Sequence, residues 1–149
     1  MQLEDILTPE RCHNRIEGVS KKRLLTSISQ FIEDNISALE AETVFNALMA
    51  REQLGSTGLG DGIAIPHCRL ATCEGIIGSL ITLSSPVDFD AIDGKPVDLL
   101  FVLIVPEEKN DEHVKTLARL AELFSDPDFC YTLRQTQDRE DLYNIAITY

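Results

Sequence analysis

One uninterrupted apolar run, Leu99 to Val105, bounded by Asp98 and Pro106, constrains the fold more than any other feature of the chain. It falls far short of the roughly 20 residues that span a bilayer. It is also too uniformly apolar for a sheet with one wet face, where apolar and polar residues alternate. A strand of this kind has to be covered on both sides. Ile76 to Leu83 is a second β-branched run, and Pro86, Asp93-Gly94 and Pro96 punctuate the stretch between the two.

Helical periods stand on either side of these strands. Ser20 offers an N-cap, and Leu24, Leu25, Ile28, Phe31 and Ile32 recur at helical spacing as far as Asn35. A second helix is predicted from a cap near Ser37 to about Gln53, with Leu39, Val44, Phe45, Leu48 and Met49 on its stripe and Gly55 as its stop. Downstream, the helical period resumes from Asn110 with Val114, Leu117, Leu120, Ala121 and Phe124. Ser125-Asp126-Pro127 restarts a helix that carries Phe129, Cys130 and Leu133, since proline is tolerated where its missing N–H costs nothing. A last helix is expected from about Arg139 to Ile147. At the start of the chain, Leu3, Ile6 and Leu7 have helical spacing and Asn14 to Val19 holds a short strand. Helices before and after a doubly covered sheet make a three-layer α/β sandwich.

The chain has 149 residues without repeats or a Pro-, Gly- or Ser-rich linker, so a single domain over residues 1–149 is expected. Its 13 Lys and Arg against 25 Asp and Glu give a formal charge of −12, which excludes the basic footprint of a nucleic-acid binder. The opening Met1-Gln2-Leu3-Glu4-Asp5 lacks the features of a secretory signal, and no membrane-embedded segment is read, so a cytoplasmic location is expected. Cys12, Cys68, Cys73 and Cys130 include no C-x-x-C pair, which argues against a disulfide framework. Cys12-His13 and His67-Cys68 invite a zinc reading, but the close ligand pairs of zinc sites are missing, and no metal is expected.

Chemistry concentrates in Arg51-Glu52-Gln53-Leu54-Gly55-Ser56-Thr57-Gly58-Leu59-Gly60-Asp61-Gly62-Ile63-Ala64-Ile65-Pro66-His67. Glycines at alternate positions let a turn form and let a ligand approach the main chain. The dinucleotide fingerprint fails, because Ile63 stands where its third glycine should be and the segment runs into an extended piece rather than a helix. The Walker pattern fails too, so no nucleotide cofactor is read. Ser56 to Leu59 and Ile63 to Pro66 are read as short extended pieces, which leaves His67 at a strand terminus facing a loop. A neutral imidazole is a competent nucleophile near pH 7, and an attacked phosphoryl group needs a guanidinium or N–H donors to offset its charge. Arg51 is the candidate cation, and its alternative is a late-helix cation favoured by the helix dipole. Without further information His113 reads as a solvated residue in the first turn of a helix capped by Asn110 or Asp111. His13 receives no role.

The run Gly58-Leu59-Gly60-Asp61-Gly62-Ile63-Ala64-Ile65-Pro66-His67 resembles the active-site signature of the mannitol/fructose-type enzyme IIA domains of the bacterial phosphotransferase system. Leu3-Glu4-Asp5-Ile6-Leu7 and Ser20-Lys21-Lys22-Arg23-Leu24-Leu25 look like the nitrogen-regulatory branch of that family. The resemblance implies a mixed sheet of about five strands with helices on both faces. It implies that His67 accepts a phosphoryl group, at Nε2, from a histidine phosphocarrier protein, with Arg51 and His113 assisting. Ser56, Thr57 and Gly58 are candidates for further phosphate contacts, with no metal or cofactor. Output is expected to be mainly regulatory, in nitrogen, potassium or carbon metabolism, through protein targets such as sensor kinases or potassium-transport proteins. The alternatives are a sugar-specific domain serving a separate permease chain, a His67/His113 acid–base phosphate-ester hydrolase, and a pure interaction module. Cys68 departs from the family, where small residues such as Gly are commoner. Strand alternation turns it away from His67, so a small buried side chain is expected, with redox sensitivity the lesser reading.

Overall fold

A computed structural model describes residues 1–108 and 111–149. After two short 3₁₀ turns at Leu3–Asp5 and Pro9–Arg11, the order is β1 (Cys12–Ile16), α1 (Lys21–Asn35), α2 (Ala41–Leu54), β2 (Gly58–Gly60), β3 (Ile63–Ala64), β4 (His67–Leu70), β5 (Ile77–Val87), β6 (Val97–Pro106), α3 (Asp111–Phe124), α4 (Pro127–Arg134) and α5 (Arg139–Thr148). The sheet runs β1-β5-β6-β3-β2, with β4 also paired to β6. β5 and β6 are antiparallel, while β1 on β5, and β3 and β4 on β6, are parallel.

The apolar run of β6 divides by alternation between two cores. Leu100, Val102 and Ile104 pack with Leu24, Leu25, Ile28 and Ile32 of α1 and Val44 and Leu48 of α2. Leu99, Phe101, Leu103 and Val105 pack on the other face with Leu120 and Phe124 of α3, Phe129 and Leu133 of α4, and Leu142 of α5. The three-layer sandwich expected from the sequence is the architecture observed.

The differences are local. The sheet has six strands rather than about five: the extended piece read over Ile63 to Pro66 is a strand only to Ala64, and a separate strand starts at His67, with β3 and β4 pairing successively along β6. Strand β1 begins at Cys12 rather than Asn14. Ser20 caps α1 as expected, accepting from Arg23 N–H at 3.2 Å. α2 starts at Ala41 instead of near Ser37, and its first N–H is satisfied from another helix: Ala41 donates to Glu33 Oε1 at 2.8 Å. Asp126 caps α4 ahead of Pro127. Asn110, one of the caps expected for α3, lies outside the described residues.

His13 lies 9% exposed, its ring stacked on Phe31 with 4.4 Å between centroids. Burial, with Arg139 nearby, pushes its pKa from 6.5 down to about 4. The unfolded chain therefore binds a proton that the folded chain refuses between those values. This contribution to stability is complete above the unfolded value and fades as the pH falls toward about 4. By pH 5 the loss is about 2 kcal/mol, which for a chain of this size lowers the melting midpoint by roughly 4–8 °C. His13→Phe keeps the stack and removes the titration. Its midpoint should fall less steeply with acid, and parallel wild-type and variant profiles from pH 7 to about pH 5 would contradict the assignment.

Candidate active site

The Asp61-Gly62 turn joins β2 to β3 with both residues at positive φ, 56° and 82°, the geometry that two-residue hairpins require. β2 covers the edge of β3 only, so the edge strand β4 is left facing the cleft between α2 and α3. His67 opens β4, with its backbone opposite Leu103 of β6. Cys68, next in the strand, joins the core cluster under α1 and α2. Its thiol is 7% exposed and its pKa is pushed up to about 12 by burial, the behaviour of a packed side chain rather than a reactive one. The same alternation separates each Cys–His pair, and among the described residues no three metal-ligating side chains converge.

The His67 ring is held at both nitrogens. Nδ1 lies 2.8 Å from the Ile65 carbonyl oxygen, which can only accept, so this nitrogen carries the proton. Arg51 Nε, which can only donate, lies 3.3 Å from Nε2. Both contacts require the same tautomer, with the lone pair on Nε2 beside a guanidinium. Burial holds the His67 pKa below its ordinary value; the Ile65 hydrogen bond opposes the shift and the charge of Arg51 reinforces it. The ring is neutral near pH 7. Arg51 sits in the last turn of α2 and anchors itself by donating from Nη1 to the Gly55 carbonyl at 2.9 Å.

His113, in the first turn of α3, lines the same cavity of about 550 Å³ as Arg51, His67 and Arg69. It is 5% exposed, which overturns the solvated reading, and its Nδ1 has no hydrogen-bond partner among the described residues. A buried ring nitrogen left so is costly unless a partner arrives. The three residues singled out in the sequence, far apart along the chain, thus share one cleft.

The lesser candidates fare differently. Ser56, Thr57 and Gly58 line the adjoining hollow, but their donors are committed elsewhere. The Ser56 hydroxyl donates to the Phe89 carbonyl at 2.5 Å, and Gly58 N–H donates to Ser56 Oγ at 3.0 Å. Thr57 gives its N–H and its hydroxyl to the two carboxylate oxygens of Glu52. These residues build the wall rather than offer donors. The space beside two of the glycines is filled by protein: a Cβ on Gly58 would meet Ala91 Cβ at 2.8 Å, and one on Gly62 would meet Arg134 Nη2 at 2.8 Å. The room is used by the protein's own chain.

Glu52 is the residue that sequence reasoning passed over. It is 6% exposed, pairs with Lys21 Nζ at 2.7 Å, and its charge opposes the lowering of the His67 pKa. A glutamate next to Arg51 on a helix flank that the apolar stripe turns inward was the available signal.

The chain belongs to the family described as phosphoenolpyruvate-dependent sugar phosphotransferase system, EIIA 2, whose model matches residues 5–148. Within it, the chain is 47% identical over 147 residues to the nitrogen regulatory protein of Pseudomonas aeruginosa strain PAO1, covering 99% of this chain and 96% of that protein. The crystal structure of nitrogen regulatory protein IIA-Ntr from Neisseria meningitidis superposes with a TM-score of 0.90 at 41% identity, covering 97% of this chain and 98% of that one. An Escherichia coli mannitol IIA enzyme, solved in complex with phosphorylated enzyme IIB, shares the fold alone: TM-score 0.75, 18% identity, 94% and 96% coverage. No helix among the described residues is long and apolar enough to cross a membrane.

Proposed function

We propose that the protein is a cytoplasmic, single-domain phosphocarrier that takes a phosphoryl group onto His67 Nε2 from a histidine phosphocarrier protein. The observation that carries this reading is the tautomer set from both sides of the ring, Nδ1–H on the Ile65 carbonyl and Nε2 facing Arg51. In the transfer, the Nε2 lone pair attacks phosphorus, the donor's N–P bond breaks, and the donor imidazole recovers that electron pair. The proton on Nδ1 stays where it is, and no metal or water takes part. Arg51 turns its N–H groups from Nε2 to the phosphoryl oxygens, which carry the charge. His113 supplies, from the opposite wall of the cleft, a buried ring whose Nδ1 has no hydrogen-bond partner among the described residues.

Relatives named nitrogen regulatory proteins support a regulatory output, read by protein targets such as sensor kinases or potassium-transport proteins. A phosphoryl group adds a charge of about −2 to an exposed cleft, enough to make or break such contacts. Incubation with the phosphorylated donor should raise the protein's mass by one phosphoryl group, in an adduct that is acid-labile and alkali-stable. His67→Ala should take up none. Undiminished labelling of that variant would refute the assignment, and turnover of a phosphate ester with no stable adduct would favour the acid–base hydrolase.

A further inference from the structure

A second polar hollow, of about 330 Å³, shares no lining residue with the His67 cleft. It is bounded by Arg15, Thr82, Leu83, Ser84, Asp98 and Arg134. Strand β1 slips register at this point, with His13 opposite Ile81 but Ile16 opposite Leu83. Asn14 and Arg15 therefore both oppose Thr82, which is a β-bulge. Arg15 adopts φ 52°, a left-handed conformation that arginine seldom takes. The neighbours enforce it: Arg15 N–H donates to Thr82 Oγ1 at 2.8 Å, and Asn14 Nδ2 donates to the buried Thr136 Oγ1 at 2.8 Å. Such strain persists only where its surroundings over-determine it, and bulges re-aim side chains. At this bulge Arg15 lines the hollow alongside Arg134.

Charge completes the case. Arg134 is held by Asp98 Oδ1 at 3.0 Å and by the Asp61 carbonyl at 2.9 Å, so this pair cancels and Arg15 supplies the hollow's excess positive charge. Among the described residues no carboxylate pairs with Arg15. In a protein of charge −12, two of only 13 Lys and Arg residues and a single carboxylate line one polar concavity, which leaves it a net positive charge. Guanidinium forks match the oxygens of phosphate and carboxylate groups, and the volume is at the small end of ligand sites, roughly 300–1,000 Å³.

We propose that this hollow binds the oxyanion group of a small metabolite, a phosphate or a carboxylate, between the guanidiniums of Arg15 and Arg134. The site is separate from phosphoryl transfer at His67. The test is a titration of isotope-labelled protein, at constant ionic strength, with inorganic phosphate in one arm and succinate in the other, followed by amide and guanidinium resonances. Saturable shifts at residues 14–16, 82–84 and 134 are expected in at least one arm, and the arm that saturates identifies the group. Arg15→Gln should weaken that binding by about tenfold or more. It should leave the melting temperature, the phosphate response of His67 and phosphoryl uptake as in wild type. Shifts confined to the Arg51–His67–His113 cleft, absent from both arms, or undiminished in Arg15→Gln would overturn the proposal.

Discussion

Glu52→Ala should cost about 3 kcal/mol of stability, the lower end of what breaking a buried ion pair costs, because its partner Lys21 keeps some solvent. The carboxylate is 6% exposed and has three engagements: Lys21 Nζ at 2.7 Å, Thr57 N–H at 3.2 Å, and the Thr57 hydroxyl. Removing it leaves the lysine with the Phe89 ring and carbonyl and an exposed Asp90 carboxylate at 3.8 Å. It also strands two Thr57 donors in a buried position, which is the larger part of the loss. For a chain of 149 residues the melting midpoint should fall by roughly 6–12 °C. Glu52→Gln retains an acceptor for the Thr57 N–H and should lose less. Pairing Glu52→Leu with Lys21→Met should be milder than the sum of the two changes, since neither charge is then left alone. A Glu52→Ala protein within about 0.5 kcal/mol of wild type in chemical denaturation would show that the pair contributes nothing. The network matters for function because it ties α1, the end of α2 and the strand-entry segment together at the residue next to Arg51.

What the sequence revealed and what it hid divide along the same physical line. The three-layer arrangement was legible because alternation within a single run, Leu99 to Val105, demands cover on both faces and helical periods stand ready to supply it. His67 and Arg51 were legible because a helix end, a turn and a strand start place them within one local unit, 16 residues apart. The split between β3 and β4 was hidden, since Ile65 and Pro66 look extended and only the pairing along β6 shows where the ladder breaks. The donors of Ser56 and Thr57 looked free for the same reason: their acceptors, the Phe89 carbonyl and Glu52, are chosen by tertiary packing. The cap of α2 likewise comes from Glu33 on another helix, which no local capping rule would find. The burial of His113 follows from how α3 docks across the sheet, whereas helical spacing alone read it as solvated.

Arg51→Ala should slow phosphoryl uptake by about 10²–10³-fold, the usual cost of removing one preorganised donor from a site of developing negative charge. Part of that loss depends on pH. In the folded protein the His67 pKa lies below its ordinary value through burial, with the Arg51 charge reinforcing the shift against the Ile65 hydrogen bond. Deleting the guanidinium moves the pKa upward, so at about pH 6 a larger share of His67 is protonated and cannot attack. At about pH 8 the ring is neutral in both proteins, and the remaining difference is lost charge stabilisation alone. The rate ratio of wild type to variant should therefore be larger at the lower pH, and the variant's rate–pH profile should be displaced to higher pH. Arg51→Lys should restore the charge and so abolish most of the pH displacement, but recover little of the rate. An ammonium lacks the fixed planar fork with which the guanidinium donates to the Gly55 carbonyl and to Nε2 at 2.9 and 3.3 Å. Separating the two effects this way distinguishes an arginine that orients and neutralises the phosphoryl group from one that merely caps the end of α2. In the latter case both variants would melt earlier while accepting phosphoryl groups at nearly the wild-type rate at every pH.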